Sequence, residues 1–145
     1  MSTSYRPGTP EDATACARII RGWGEEVDWI DPMDDLAPMS AFWAKIFARH
    51  PVWIALEAGE VVGFSNREER HLCGLYVDHQ ARGRGVGKRL LDLAREDQPR
   101  MIAWSYEDNR AARRFYRREG FVERCREVEE GTGLMSVEHL WTRPA

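Results

Sequence analysis

Residues 75–91, LYVDHQARGRGVGKRLL, constrain the fold of this chain more than any other stretch. The apolar run that ends at Val77 is strand-like. Gly83, Gly85 and Gly87 then stand at alternate positions, where a backbone free to take positive φ presents its N–H groups without Cβ obstruction. Beyond them Val86, Leu90 and Ala94 recur at helical spacing with Leu93 beside them, so a helix begins near Gly85 and aims the positive end of its dipole at the turn. Arg82, Arg84, Lys88 and Arg89 surround that point. Free amides, a helix N-terminus and four cations together fit a phosphorylated ligand. Two familiar phosphate loops fail on spacing: a G-x-G-x-x-G from Gly83 requires glycine at Lys88, and a P-loop through Gly87 and Lys88 requires glycine at Arg82 and a hydroxyl at Arg89.

The rest of the chain supplies alternating elements around this unit. A short strand near Tyr5 and Arg6 leads to Thr9, Pro10 and Asp12, which read as N-cap, first helical position and capping box. Ala13, Cys16, Ala17 and Ile20 share one helical face, and Gly22 and Gly24 are expected to end that helix. The irregular segment that follows carries Asp28, Asp31, Asp34 and Asp35 among Trp29, Ile30 and Met33. From Met39, the spacing of Phe42, Trp43, Ile46 and Phe47 predicts a second helix to about Arg49, stopping before Pro51. Residues 52–57 and 61–66 read as a hairpin, and residues 69–77 as a third strand that delivers the chain to the glycine turn. Residues 101–105 form a buried strand with a parallel return. Asp108 or Asn109 opens a helix with Ala112, Phe115 and Tyr116 on one face and Gly120 as a left-handed cap; residues 121–128 and 134–141 make the last strands.

Two motifs then point to a family. Gln80, Gly83 and Gly85 match [QR]-x-x-G-x-[GA], which resembles the acetyl-CoA motif of the GNAT superfamily of N-acetyltransferases. Residues 109–121, NRAARRFYRREGF, match that family's N-x-x-A-x-x-F-Y-x-x-x-G-F at every defined position, and the order of elements is similar throughout. The resemblance implies an α/β (α+β) fold in which residues 1–145 form one domain. Its central mixed sheet is mostly antiparallel, splayed between the fourth and fifth strands and flanked by about four helices.

The resemblance also implies roles. The pantetheine arm of acetyl-CoA would pair with backbone groups of Tyr76 and Val77, and the pyrophosphate would lie on the turn formed by Arg82, Gly83, Arg84, Gly85, Val86, Gly87 and Lys88. Asn109 and Ala112 would border the arm. The Val77 N–H would face the oxyanion, and Tyr116 would protonate the departing thiolate, since a phenol of pKa ~10 is suited to the task. For the base, an unbroken strand puts Glu69, His71, Cys73, Leu75 and Val77 on one face, so Glu69 or His71 would deprotonate the acceptor, whereas a bulge would change the set. The acceptor would be a primary amine. Trp29 and Trp43, with Trp23 and Phe42 near the four aspartates, suit a small cationic molecule.

Composition narrows the alternatives. The 145 residues carry a net charge of −3 and a pI near 5.8, which argues against nucleic acid as partner despite the arginines at 110, 113, 114, 117 and 118. Cys16, Cys73 and Cys125 are odd in number and far apart, which fits reduced thiols in the cytoplasm. No run approaches the roughly 18 apolar residues of a membrane span. His50, His71, His79 and His139 are scattered without metal-ligand spacing, so no metal is expected. The reading is an acyltransferase acting as monomer or homodimer by direct attack in a ternary complex, with a non-catalytic acetyl-CoA-binding module as the alternative.

Overall fold

A computed structural model describes residues 2–145. One seven-stranded sheet organises the fold. Its strands are β1 (Thr3–Pro7), β2 (Val52–Glu57), β3 (Glu60–Glu68), β4 (His71–Val77), β5 (Arg100–Tyr106), β6 (Val122–Val128) and β7 (Met135–Thr142), in the spatial order β1-β2-β3-β4-β5-β7-β6. Every neighbouring pair is antiparallel except β4 with β5. The helices are α1 (Ala13–Glu26), α2 (Leu36–Phe47), α3 (Val86–Arg95) and α4 (Arg110–Arg118). Cys16, Ile20 and Phe47 of α1 and α2 pack on Ile54 and Phe64 of the sheet; Leu91, Ala94 and Tyr116 of α3 and α4 pack on Met101, Ala103 and Trp141. The sheet is therefore buried from both sides, and the mixed, splayed architecture agrees with the expected fold.

Four local expectations need correction. The capping box at Thr9 and Asp12 is present, but α1 continues through Gly22 and Gly24 to Glu26. A Cβ at Gly24 would lie 2.9 Å from the Met33 thioether, so the loop after α1 packs on a glycine that sequence pattern reads as a stop. Helix α2 starts at Leu36 rather than Met39, because Pro38 falls in the first turn, where a missing N–H breaks no intrahelical bond. On α3 it is Leu91, fully buried, that joins Val86, Leu90 and Ala94, while Leu93 is half-exposed.

The fourth correction bears on function. Strand β4 begins at His71, not Glu69, and Glu69 sits in the preceding turn with φ of 52°. Asn66 pairs with Gly74 and Arg67 with Leu72, so Cys73 is the extra residue of a β-bulge. Side-chain parity reverses there. Leu72 and Leu75 both join the core under α3 and α4, while Gly74 and Tyr76 face Trp43, Phe64 and the α1 side. His71 and Leu75 consequently lie on opposite faces, and the single-face expectation for 69, 71, 73, 75 and 77 fails.

Candidate active site

Strands β4 and β5 pair only at His71↔Ile102 and Leu72↔Ala103, then diverge. Bond parity fixes what β4 offers to the gap. Asp78 N donates to Val62 O at 2.8 Å, so 62 and 78 form a hydrogen-bonded pair, and by antiparallel alternation Phe64 and Tyr76 form the next. The backbone groups of Tyr76 are thus used within the sheet, which corrects their expected availability; those of Leu75 and Val77 turn toward the gap. The Val77 carbonyl accepts from Arg82 Nε at 2.9 Å.

The chain then enters the glycine turn. Gly83 and Gly85 have φ of 78° and 84°, and Gly85 is the N-cap of α3, so its conformation is one that a side chain would strain. Of the surrounding cations, Arg82, Arg84 and Lys88 are engaged by carboxylates, while Arg89 lies over the Tyr5 ring. The Arg82 guanidinium forks onto Glu26 of α1, Arg84 lies 2.8 Å from Glu57, and Lys88 bridges Asp92 at 3.1 Å and Glu119 at 3.2 Å. Arg84 lines no part of the cleft described next, because Glu57, itself buried, draws it toward β2.

That cleft passes through the splay in two halves that share Trp23, Leu75, Tyr76, Asn109, Ala112 and Tyr116. One half, about 480 Å³, runs from these residues over Val77, Arg82, Gly83, Val86 and Lys88 to Phe115 and Arg118. The other, about 460 Å³, is bordered by Glu68, His71, Cys73, Trp104, Tyr106 and Glu129. Tyr116 stands where they meet. Its ring packs at 5.2 Å from Phe121 and 5.0 Å from His139, and burial pushes its hydroxyl pKa up. Among the described residues that hydroxyl has no hydrogen-bond partner. Asn109, which lines the cleft, caps α4 by accepting from Ala112 N at 3.1 Å, and its side-chain N–H₂ has no partner among the described residues.

The remaining sequence candidates separate. Trp29 packs edge-on against Trp23 and Tyr106, two residues that line the second half, without lining either half itself. Trp43 instead packs on Phe47 and Phe64 in the core and lines neither half. His71 borders the second half, but Glu69 does not; its neighbour Glu68 does, 3.6 Å from His50. Sequence reading missed Glu68, Tyr106, Ser105 and Glu129, whereas Trp23, named among the aromatics near the aspartates, does line the cleft. Only the alternation of Trp104 and Tyr106 on a strand gave any signal for them. The Tyr106 hydroxyl donates to Glu129 at 3.0 Å, and burial and that carboxylate together hold its pKa high.

Among known proteins, the profile of the "Acetyltransferase (GNAT) domain" matches residues 48–123. The peptidyl-lysine N-acetyltransferase YiaC of Escherichia coli K12 is 34% identical over 110 residues, 71% of this chain and 74% of that protein. In fold, the chain is similar to the solution structure of apo-form YjaB from Escherichia coli, with a TM-score of 0.79 at 23% identity over 97% of this chain and 98% of that one. It is also similar to the acetyltransferase yncA of Salmonella typhimurium, solved with its cofactor acetyl-CoA, with a TM-score of 0.76 at 19% identity over 100% and 96% of the two chains. A profile match over half of the chain, and a relative of that identity and reach, show that the chain belongs to the GNAT family of acetyl-CoA-dependent N-acetyltransferases.

Proposed function

We propose that the chain moves the acetyl group of acetyl-CoA to a primary amine by direct attack, and that the amine is the side chain of a lysine in a protein. The observation that carries the reading is one cleft running through the β4–β5 splay with Tyr116 at the junction of its halves. Acetyl-CoA suits the groups present. Backbone groups of Leu75 are free to pair with an amide-bearing arm, and uncharged N–H groups at the start of α3 suit a pyrophosphate. At Gly87 a Cβ would stand 3.6 Å from Phe115 and 3.7 Å from Val77, narrowing the passage between turn and helix.

Bound there, acetyl-CoA supplies an activated thioester; the chain supplies the rest. Val77 N–H, on the gap side of β4, is the donor for the oxyanion. Tyr116 stays protonated because burial disfavours its phenolate, so at neutral pH it has a proton to give the leaving sulfur. His71, on the second half and exposed, takes the ammonium proton through water. Glu68 and Glu129 attract a cationic acceptor, and Trp29 and Tyr106 flank its alkyl stem.

The lysine acceptor draws on the activity of YiaC. A small cationic amine is the second reading, favoured by the aromatic enclosure of Trp23, Trp29 and Tyr106. Thiol release from acetyl-CoA, measured with lysine peptides and with a panel of polyamines and amino sugars, separates them. Release with peptides alone supports the first reading and release with small amines alone the second. Binding of acetyl-CoA without release by any amine would leave a non-catalytic module.

A further inference from the structure

Under α4, strands β5 and β7 bring together two polar residues that the mechanism above does not use. The register pairs Ser105 with Val137 and Ala103 with His139, so Ser105 and His139 are diagonal neighbours on one face. Ser105 Oγ lies 2.7 Å from His139 Nε2. His139 is 0% exposed, its ring 5.0 Å from that of Tyr116; Ser105 is 9% exposed and lines the second half of the cleft. Nδ1 of His139 has no partner among the described residues.

That unpartnered nitrogen fixes the direction of the bond. Burial holds the imidazole below its usual pKa, so the ring is neutral and carries one N–H. A buried N–H without an acceptor is rarer and costlier than a bare lone pair, so the hydrogen belongs on Nε2 and is donated to Ser105 Oγ. The hydroxyl hydrogen of Ser105 then has no protein acceptor among the described residues, and the cleft is what remains for it. A nucleophilic serine would need the opposite arrangement, with Nε2 bare and Nδ1–H held by a third group; nothing holds it here.

We infer that Ser105 is a further catalytic residue, donating a hydrogen bond from β5 into the cleft to the oxygen that gains negative charge during acetyl transfer, with His139 as its positioning residue. The hydrogen bond strengthens as charge develops and the proton stays on Ser105. This rests on the acetyl-transfer reading, which is tested first and separately by thiol release from the unaltered enzyme. Given turnover, Ser105→Ala should lower kcat roughly 100-fold, the usual loss of one such donor, with acetyl-CoA affinity by calorimetry unchanged, and Ser105→Thr should restore most of it. His139→Gln, which keeps an N–H donor, should retain more kcat than His139→Phe at equal acetyl-CoA affinity. Nitrogen-15 spectra of the imidazole in the free protein should show Nε2 protonated and Nδ1 bare. A Ser105→Ala enzyme within threefold of the unaltered kcat, or a protonated Nδ1, overturns the assignment. Should Ser105→Ala fail to fold, the spectra and the His139 pair decide it.

Discussion

Replacing Tyr116 by phenylalanine isolates the proton donor from the packing that holds it. The ring touches Phe115, Phe121 and His139 at centroid distances of 5.4, 5.2 and 5.0 Å, and phenylalanine keeps all three contacts. Because the hydroxyl has no partner among the described residues, its removal breaks no hydrogen bond, and stability should change by less than about 0.5 kcal/mol. Tyr116→Ala, by contrast, would empty a buried aromatic site at a cost of about 3–5 kcal/mol. The kinetic effect should be far larger than the structural one. A positioned general acid contributes about 10²–10⁴ in rate, or roughly 2.7–5.4 kcal/mol of barrier. At saturating acetyl-CoA and amine, thiol release by Tyr116→Phe should therefore fall at least about 100-fold, with acetyl-CoA affinity and melting temperature retained. A variant that melts normally and turns over within a factor of three would refute the assignment of the acid role to Tyr116.

Three further perturbations follow from the same geometry. Asp12 accepts from Arg6 at 2.8 and 2.9 Å and from Thr9 N at 2.9 Å, and the Arg6 hydrogen bonds foremost hold its carboxyl below the usual range; a depressed folded pKa means its stabilisation is present above pH ~4 and lost as pH falls through the folded value. Asp12→Asn should accordingly lower stability by about 1–3 kcal/mol at neutral pH and flatten the acid limb of melting temperature against pH; an unaltered acid limb would remove Asp12 from it. Gly74→Ala should cost about 1–3 kcal/mol in chemical denaturation, since its Cβ would stand 3.1 Å from Phe64 and 3.3 Å from Trp43, whose rings are wedged in the core; an unchanged midpoint would mean the core yields. Glu26→Gln releases Arg82 into the coenzyme half from a partly exposed ion pair worth about 1 kcal/mol, so KM for acetyl-CoA should fall by up to about fivefold while kcat holds; a rise in KM would show that Glu26 positions Arg82 rather than restraining it.

What could be read from the sequence follows from how each half of the cleft is made. Apart from Trp23, the half that the proposed reading gives to the coenzyme comes from two contiguous runs, 75–88 and 109–118, in which residue type is dictated by backbone. Gly83 and Gly85 are needed for positive φ, Asn109 for the cap of α4, and Gly120 with φ of 94° for its end. Such requirements leave a fixed spacing. The bulge at Cys73 left none, because the extra residue is defined by its partner across the ladder, Asn66 and Arg67 on β3, and not by its own chemistry. Glu69 was misplaced for a second reason, its place in the β3–β4 turn with φ of 52°, and Tyr76 was credited with backbone groups that the Phe64 pairing uses. Trp43 and Trp29 show the same limit, for both are tryptophans flanking the acidic segment 28–35, and only the docking of α2 on Phe64 puts one in the core while the other packs on Trp23 and Tyr106.

The second half of the cleft is built in a different way, and this bears on how the molecule can change. Trp23 comes from α1, Glu68 from β3, His71 from β4, Ser105 and Tyr106 from β5, and Glu129 from the β6–β7 turn. Each contributes a side chain, and none is constrained in sequence by the next. The coenzyme half offers mainly backbone: the gap side of β4 and the amides leading into α3. Substituting Glu68, Tyr106 or Glu129 alters charge and shape toward the acceptor while leaving the β4 ladder and the conformation of Gly85 untouched. On the proposed reading, acceptor choice is therefore separable from acetyl-CoA binding, except at the shared residues Trp23, Leu75, Tyr76, Asn109, Ala112 and Tyr116, where one change acts on both halves. Tyr76 is the strictest of these. Its ring stacks on Phe64 and meets Trp23 edge-on, burial pushes its pKa up to about 12, and a smaller side chain there would open the core and both halves of the cleft at once.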